Sequence, residues 1–433
     1  PILPPTRYGS SVVKFDDSAA KAVKGYQQTI VLNDTSDSVP GWLMVIASTF
    51  TAAQKASKLV KVTWDVGDTA TVSEADIIAH GKKLLADQSK GSILDTGNVK
   101  TEAAFENASS QIAEEYITST VLHAQMEPLN ALVFKNPDGI WEVHSGCQWQ
   151  SLTLPVLAKA LGEDEANIVL RSYMMGGGFG RRLNGDYTIP AALTSQALGG
   201  KAVKMVLTRA QDMLFDSARS SSVQQLKMAF DDKKSVTAME HHAAAGWPTQ
   251  VLAPGFMPKG VNDEPFDPFS IAGADHWYSV GAQKVRAVSN DLAIATFRPG
   301  WLRSVGPGWT GWAVESFMDE AAHHAGQDPL QFRLDRLIAK GRNAGHTPIA
   351  KGGAARQAAV LKKAAEMIGW GKPQAKDSGI GIASTFGQER EMPTWVGCGV
   401  QVHVDRDNGL VNVEKLYIAI DAGIIVDPNG AEA

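Results

Sequence analysis

The chain reads as an α+β protein, with a small α/β domain followed by a larger domain of mixed helices and strands. Three observations lead there. Short apolar runs alternate with helix-type segments over residues 1–86. A polar stretch rich in Gly, Ser, Asp and Lys fills residues 87–105 and has the composition of a linker. A β pattern restarts at Tyr116–Val121, and strand and helix patterns interleave from there to residue 433. Length agrees, since domains commonly run about 100–200 residues. The expected division is therefore 1–86, a linker at 87–105, and 106–433.

In the first domain Trp42–Ala47 is an apolar run of strand type, and Phe50–Lys58 follows with helix-forming alanines. Leu59–Trp64 alternates at period two. Ser73 and Asp76 have the spacing of a capping box, which starts a helix expected to reach about Leu85. In the second domain strands are expected at Ile140–His144, Ile168–Ser172, Val203–Thr208, Ser222–Phe230, Val236–Ala244, Val400–Asp405 and Asn412–Ile420. Helices are expected at Leu154–Leu161, Thr188–Leu198, Val314–His324, Pro329–Ala339 and Ala354–Ile368. Asp328-Pro329 caps one of them, and Gly369 stops another. Residues 245–280 carry Pro, Gly and aromatics without periodicity, so a long irregular excursion is expected there.

Composition narrows the function classes. A net charge of −5 gives no reason to expect nucleic acid as a partner. No run approaches the roughly 20 apolar residues that cross a bilayer. The two cysteines, Cys147 and Cys398, form no CxxC, haem-attachment or cluster-binding pattern, and each is expected to be a small apolar residue. The adjacent pairs His241-His242 and His323-His324 offer no HExxH spacing, so no metal is expected on protein side chains.

One segment carries chemistry. Gly176-Gly177-Gly178-Phe179-Gly180-Arg181-Arg182 lies between a strand and a helix, with four glycines in five residues. Missing Cβ atoms let backbone N–H groups approach a ligand and form a nest for anionic oxygens, and two arginines add positive charge. Arg181 stands where a dinucleotide fingerprint needs its third glycine, and no GxxxxGK[ST] occurs. By itself the segment fits equally a flexible turn with two solvated arginines.

The loop, read with its surroundings, resembles the cofactor loop of the xanthine dehydrogenase and aldehyde oxidase superfamily of molybdenum hydroxylases. Leu207–Met213 resembles that family's "R-x-x-D-M" strand end, and Leu302–Gly306 followed by Trp312–Glu320 resembles its "F-R-G-F-G…E" segment. Leu122–Asn130 resembles the "H-A-P-M-E-P" variant, which with Arg181-Arg182 is similar to the large subunits of isoquinoline oxidoreductase and bacterial aldehyde dehydrogenase. The resemblance extends over essentially the whole chain. It implies a hammerhead-like domain at 1–86, truncated at its start, and a molybdopterin-binding domain at 106–433, truncated at its end.

The resemblance also implies roles. Gly177, Gly178, Phe179, Gly180, Arg181 and Arg303 would contact the cofactor, a molybdenum–molybdopterin cytosine dinucleotide. Gln148, Leu183 and Val305 would line the substrate pocket, with Glu127 and Gln388 as weaker candidates. Val305 stands where purine-oxidising members place an aromatic, and Leu183 where they place a carboxylate, so a less polar substrate such as an aldehyde is expected. The family's base, a glutamate in a "G-x-G-E" segment, does not occur within the chain and is expected beyond Ala433; an "M-G-Q-G" segment is expected before residue 1. Electrons would leave through a small subunit with 2Fe-2S clusters and, in some members, a membrane-bound cytochrome c subunit carrying haem c, in the periplasm. Two alternatives stay open: hydroxylation of an N-heteroaromatic ring, and a cofactor-free binding module using Trp247, Phe256 and Trp277.

Overall fold

The computed structural model describes residues 1–387 and 390–432, so Gln388 lies outside the described residues. In the small N-terminal unit, Ser11–Asp16 pairs antiparallel with Lys61–Asp65, and Tyr26–Val31 with Leu43–Ala47. The helix Phe50–Ser57 starts where the Thr49 side chain accepts from the Ala52 amide. The helix Glu74–Ala86 has the expected capping box between Ser73 and Asp76.

That second helix packs elsewhere. Its Leu84 and Leu85 are buried with Val223, Ala244 and Val288 of a five-stranded sheet. The sheet runs in the order 92–93, 282–289, 236–245, 222–230, 110–118. Residues 87–105, expected from composition to be a linker, are seated on this sheet: Ser92–Ile93 is its edge strand, and Ser92 and Thr101 are fully buried. The polar residues that look like linker sequence serve inward hydrogen bonds instead, Thr96 to the Gln283 carbonyl and Thr101 to Glu240.

A four-stranded sheet, ordered 203–206, 130–135, 141–145, 168–172, carries the site. Its last two strands are parallel and the rest antiparallel. Helices Gln150–Leu161 and Ile189–Ala197 cover it, and Leu32, Val39, Trp42 and Met44 of the small unit belong to the same core. A three-stranded meander, 378–386, 395–404 and 411–421, packs through its Ile382, Phe386 and Trp395 into the main core with helices Thr310–Ala325 and Gly353–Ile368. Among the described residues no helix is long and apolar enough to cross a membrane.

Several expectations shift. The strand expected at Val203–Thr208 ends at Val206, because Thr208 caps the helix Arg209–Leu214 in a capping box with Gln211. The helix expected at Pro329–Ala339 ends at Leu334. Past the strand that ends at Ala245, residues 246–280 hold short helical turns at Pro248–Leu252, Pro254–Phe256 and Pro268–Ile271 and a single β-bridge between Lys259 and Pro265. Cys147 and Cys398 are both free.

Candidate active site

Parallel neighbours end on the same side of a sheet, and ligands commonly bind outside their carboxyl ends. Here strand Trp141–Ser145 leads into Gln148, and strand Ile168–Ser172 leads into the glycine loop. The two connections therefore meet. The Gln148 Oε1 accepts from the amides of Gly180 and Arg182, each at 3.2 Å, while the Gln148 amide donates to the Arg182 carbonyl at 3.0 Å. A Cβ on Gly178 would lie 2.4 Å from that Oε1, so the glutamine seats against the loop only because Gly178 has none.

A second wall comes from residues 301–306. The Arg303 amide donates to the Phe179 carbonyl at 2.8 Å, and a Cβ on Gly180 would stand 1.6 Å from the Trp301 carbonyl oxygen. Between the walls lies an open cleft of about 390 Å³ lined by Gln148, Phe179, Gly180, Leu183, Val305 and the 301–304 backbone turn. The structure thus brings Gln148, Phe179, Gly180, Leu183, Arg303 and Val305 to one place. Phe179, Ser304 and Val305 have φ of 54°, 71° and 42°. Left-handed backbone at a β-branched residue is a rare conformation, of a kind that clusters at ligand sites.

Positive and donor groups are available at the cleft, on Phe179 and Arg303, and in the adjoining loop, on Gly177 and Gly178. The amides of Gly177, Gly178 and Phe179 have no hydrogen-bond partner among the described residues, and neither has the exposed Arg303 guanidinium. Phe179 is 41% exposed.

Arg181 and Arg182 correct the picture of two arginines offering charge to a ligand. Both side chains are fully buried. Arg181 forks onto Asp186 at 2.7 and 3.2 Å and donates to the Phe215 carbonyl at 3.0 Å. Arg182 donates to the carbonyls of Gly177 and Glu127 and to Glu127 Oε2, each at 3.0 Å. The carboxylates that claim them are buried or half-buried, and an unpaired charge at such depth is costly, so both guanidiniums turn inward and anchor the loop. Glu127 also accepts from the Gly176 amide at 2.8 Å. Burial alone would raise its carboxyl, but that amide, Asn130 and Arg182 hold it below the ordinary value. Glu127 is thus a strut of the loop.

Trp301, Leu302 and Ser304 also line the cleft. Their proximity to Arg303 in the sequence was the available signal. Of the aromatics in residues 245–280, Trp247 and Trp277 are buried and Phe256 is exposed, which leaves a binding face without two of its three rings.

The chain belongs to the molybdopterin cofactor-binding domain family, whose model matches residues 80–337. It is 54% identical over 436 residues, all of this chain and 56% of the relative, to a Gluconacetobacter polyoxogenes protein named membrane-bound aldehyde dehydrogenase (pyrroloquinoline-quinone). It is 25% identical to the isoquinoline 1-oxidoreductase subunit beta of Brevundimonas diminuta, over 98% of this chain and 52% of that one. The chain spans about half the length of these relatives. Its fold superposes on the aldehyde oxidoreductase of Desulfovibrio gigas with a TM-score of 0.68 at 17% identity, over 95% of this chain and 48% of that one.

The residues present fit a pterin-bound oxo-metal group in kind. Free amides at Gly177–Phe179 suit oxygen acceptors, and Arg303, unpaired among the described residues, suits an anionic portion.

Proposed function

We propose that this chain forms one side of the active site of a molybdenum hydroxylase that converts an aldehyde to its acid, R–CHO + H2O → R–COOH + 2H⁺ + 2e⁻. When bound, the molybdenum–pterin group supplies the two-electron oxidation and the transfer of oxygen from water. The chain's own residues hold and orient. The amides of Gly177, Gly178 and Phe179 face acceptor oxygens, Gln148 fixes the loop that presents them, and Arg303 meets negative charge on the cofactor. Leu183, Leu302 and Val305 give the substrate side an aliphatic lining.

The observation that carries this reading is that lining. A ring heterocycle with polar edges would find no carboxylate and no stacking aromatic at Leu183 and Val305, whereas a small aldehyde needs neither. The relative named an aldehyde dehydrogenase supports the same substrate class. The cytosine dinucleotide form of the cofactor, a partner subunit with 2Fe-2S clusters, a cytochrome c partner and a periplasmic, membrane-associated location complete the proposal. The catalytic base belongs to polypeptide outside this chain.

The test is chemical. The assembled enzyme, purified with its redox partners, is analysed for molybdenum, pterin, nucleotide and pyrroloquinoline quinone, then offered acetaldehyde and isoquinoline separately. Expected are near-stoichiometric molybdenum and pterin, with turnover of acetaldehyde. Quinone without molybdenum overturns the cofactor reading, and ring hydroxylation with inert aldehyde overturns the substrate reading.

A further inference from the structure

His123 is 6% exposed and lies behind the cleft, outside its lining. Its main-chain amide donates to Asp216 Oδ2 at 2.6 Å and its Nδ1 to Asp216 Oδ1 at 2.8 Å. Its Nε2 donates to the Trp301 carbonyl, also at 2.8 Å. Asp216 is ionised: burial works against it, but the His123 hydrogen bond and charge, with Arg181, hold its carboxyl below the ordinary value. A carboxylate and a carbonyl are both acceptors, so the ring donates at both ends, which requires an imidazolium.

The groups facing this ring alternate in sign. Asp216 touches it, Arg181 Nε lies 3.3 Å from Asp216, Asp186 pairs with Arg181, and Arg7 of the small unit pairs with Asp186 at 2.9 Å. The row ends at the Trp301 carbonyl, the atom that occupies the space a Gly180 Cβ would need. Immediately beyond it come the two positive-φ residues Ser304 and Val305. Backbone in that region persists only where its surroundings over-determine it. The bonds that hold it are Arg303 N to Phe179 O, Val305 N to Leu302 O, Gly306 N to Phe269 O, Trp301 Nε1 to the Thr249 hydroxyl, and the His123 contact, which alone of these involves a charge.

We infer that His123 is a positioning residue of this site: clamped by Asp216, it grips the Trp301 carbonyl and so sets Leu302, Arg303 and Val305 against the glycine loop. This rests on reading the cleft as the cofactor and substrate site. A neutral amide at this position carries both its donors on one nitrogen, whereas a rigid imidazolium has a donor at each end.

The test uses the assembled enzyme with His123→Leu and His123→Gln. Hydrogen–deuterium exchange is followed in peptides covering 176–183 and 299–306, alongside molybdenum content and the KM and kcat for acetaldehyde. His123→Leu is expected to speed exchange in both peptides about tenfold or more, the effect of losing a charge-assisted hydrogen bond. Exchange across 378–421 stays unchanged, and KM rises more than kcat falls. His123→Gln, still able to donate to the Trp301 carbonyl, is expected to recover much of the protection and of the KM. Unchanged exchange at 299–306 in the leucine variant overturns the clamp, as does a glutamine variant no better than leucine. Wild-type enzyme found free of molybdenum, with His123→Leu still loosening both peptides relative to it, sinks the cofactor reading and supports the clamp.

Discussion

Gly180 shows how a single absent methyl shapes the cleft. With φ at 108° and the Trp301 carbonyl occupying its Cβ position, it meets two separate objections to any side chain. Gly139 has φ of 84° but nothing within 4 Å, so it isolates the conformational part. Gly139→Ala is expected to cost about 1–2 kcal/mol, the ordinary left-handed penalty. Gly180→Ala is expected to cost more than about 3 kcal/mol and to release molybdenum, because the two walls must part. Paired thermal melts and metal analysis check it, and equal losses at both positions would remove the close contact from the explanation.

Residues also mark where sequence stops being legible. Phe179, Gln148, Leu183, Arg303 and Val305 line one cleft, because each follows or flanks a segment whose place in the fold its motif fixes. Arg181 turns chiefly to Asp186, five positions on, whereas the direction of Arg182 was hidden, since its partner Glu127 lies 55 positions away along the chain. No local pattern reports a carboxylate at that distance.

At the level of elements, legibility followed local signals. Ile168–Ser172 and Ser222–Phe230 lie as expected because each is an uninterrupted β pattern between turn residues. Ala282–Ser289 escaped because its interior holds Gln283, Lys284 and Arg286, and burial of Arg286 is paid for by main-chain carbonyls of Leu85, Asp87 and Lys90. Ser378–Phe386 escaped because small residues and glycine blur its alternation. Capping was read correctly at Ser73, and it yields an element-scale prediction. The helix Glu74–Ala86 joins small unit and sheet, and Ser73→Ala removes the acceptor of the Asp76 amide. A loss of about 1 kcal/mol is expected in urea unfolding. No loss would show that tertiary packing alone holds the helix start.

Across the whole molecule, the largest sheet buries ionisable groups. His241 accepts no solvent and bonds Gln224 at 3.0 Å, while His276 lies 3.2 Å from Met239 Sδ. Burial pushes both rings from 6.5 down to about 3. Both are therefore neutral in the fold and take up protons on unfolding whenever the pH lies between those values. Stability from this source is complete above pH 6.5 and is lost as pH falls toward 3, at up to about 1.4 kcal/mol per pH unit per ring. Urea midpoints at pH 7.5 and 5 are expected to differ accordingly, and His241→Gln should flatten the difference. A midpoint that does not move between those values would contradict neutral burial.

The pairing of Arg7 with Asp186 reaches across 179 positions. Arg7 is made before its partner, and its guanidinium ends almost enclosed, over the rings of Tyr8 and Phe215 at 4.4 and 4.0 Å. Until residue 186 arrives, that charge has the Ser38 carbonyl and the Tyr8 ring but lacks its carboxylate partner, so the small unit cannot close fully on its own. Contacts of such separation form late and slowly. The glycine loop and the segment around Arg7 are therefore completed in the same step, and a nascent chain acquires its cofactor cradle only when the two finally settle together.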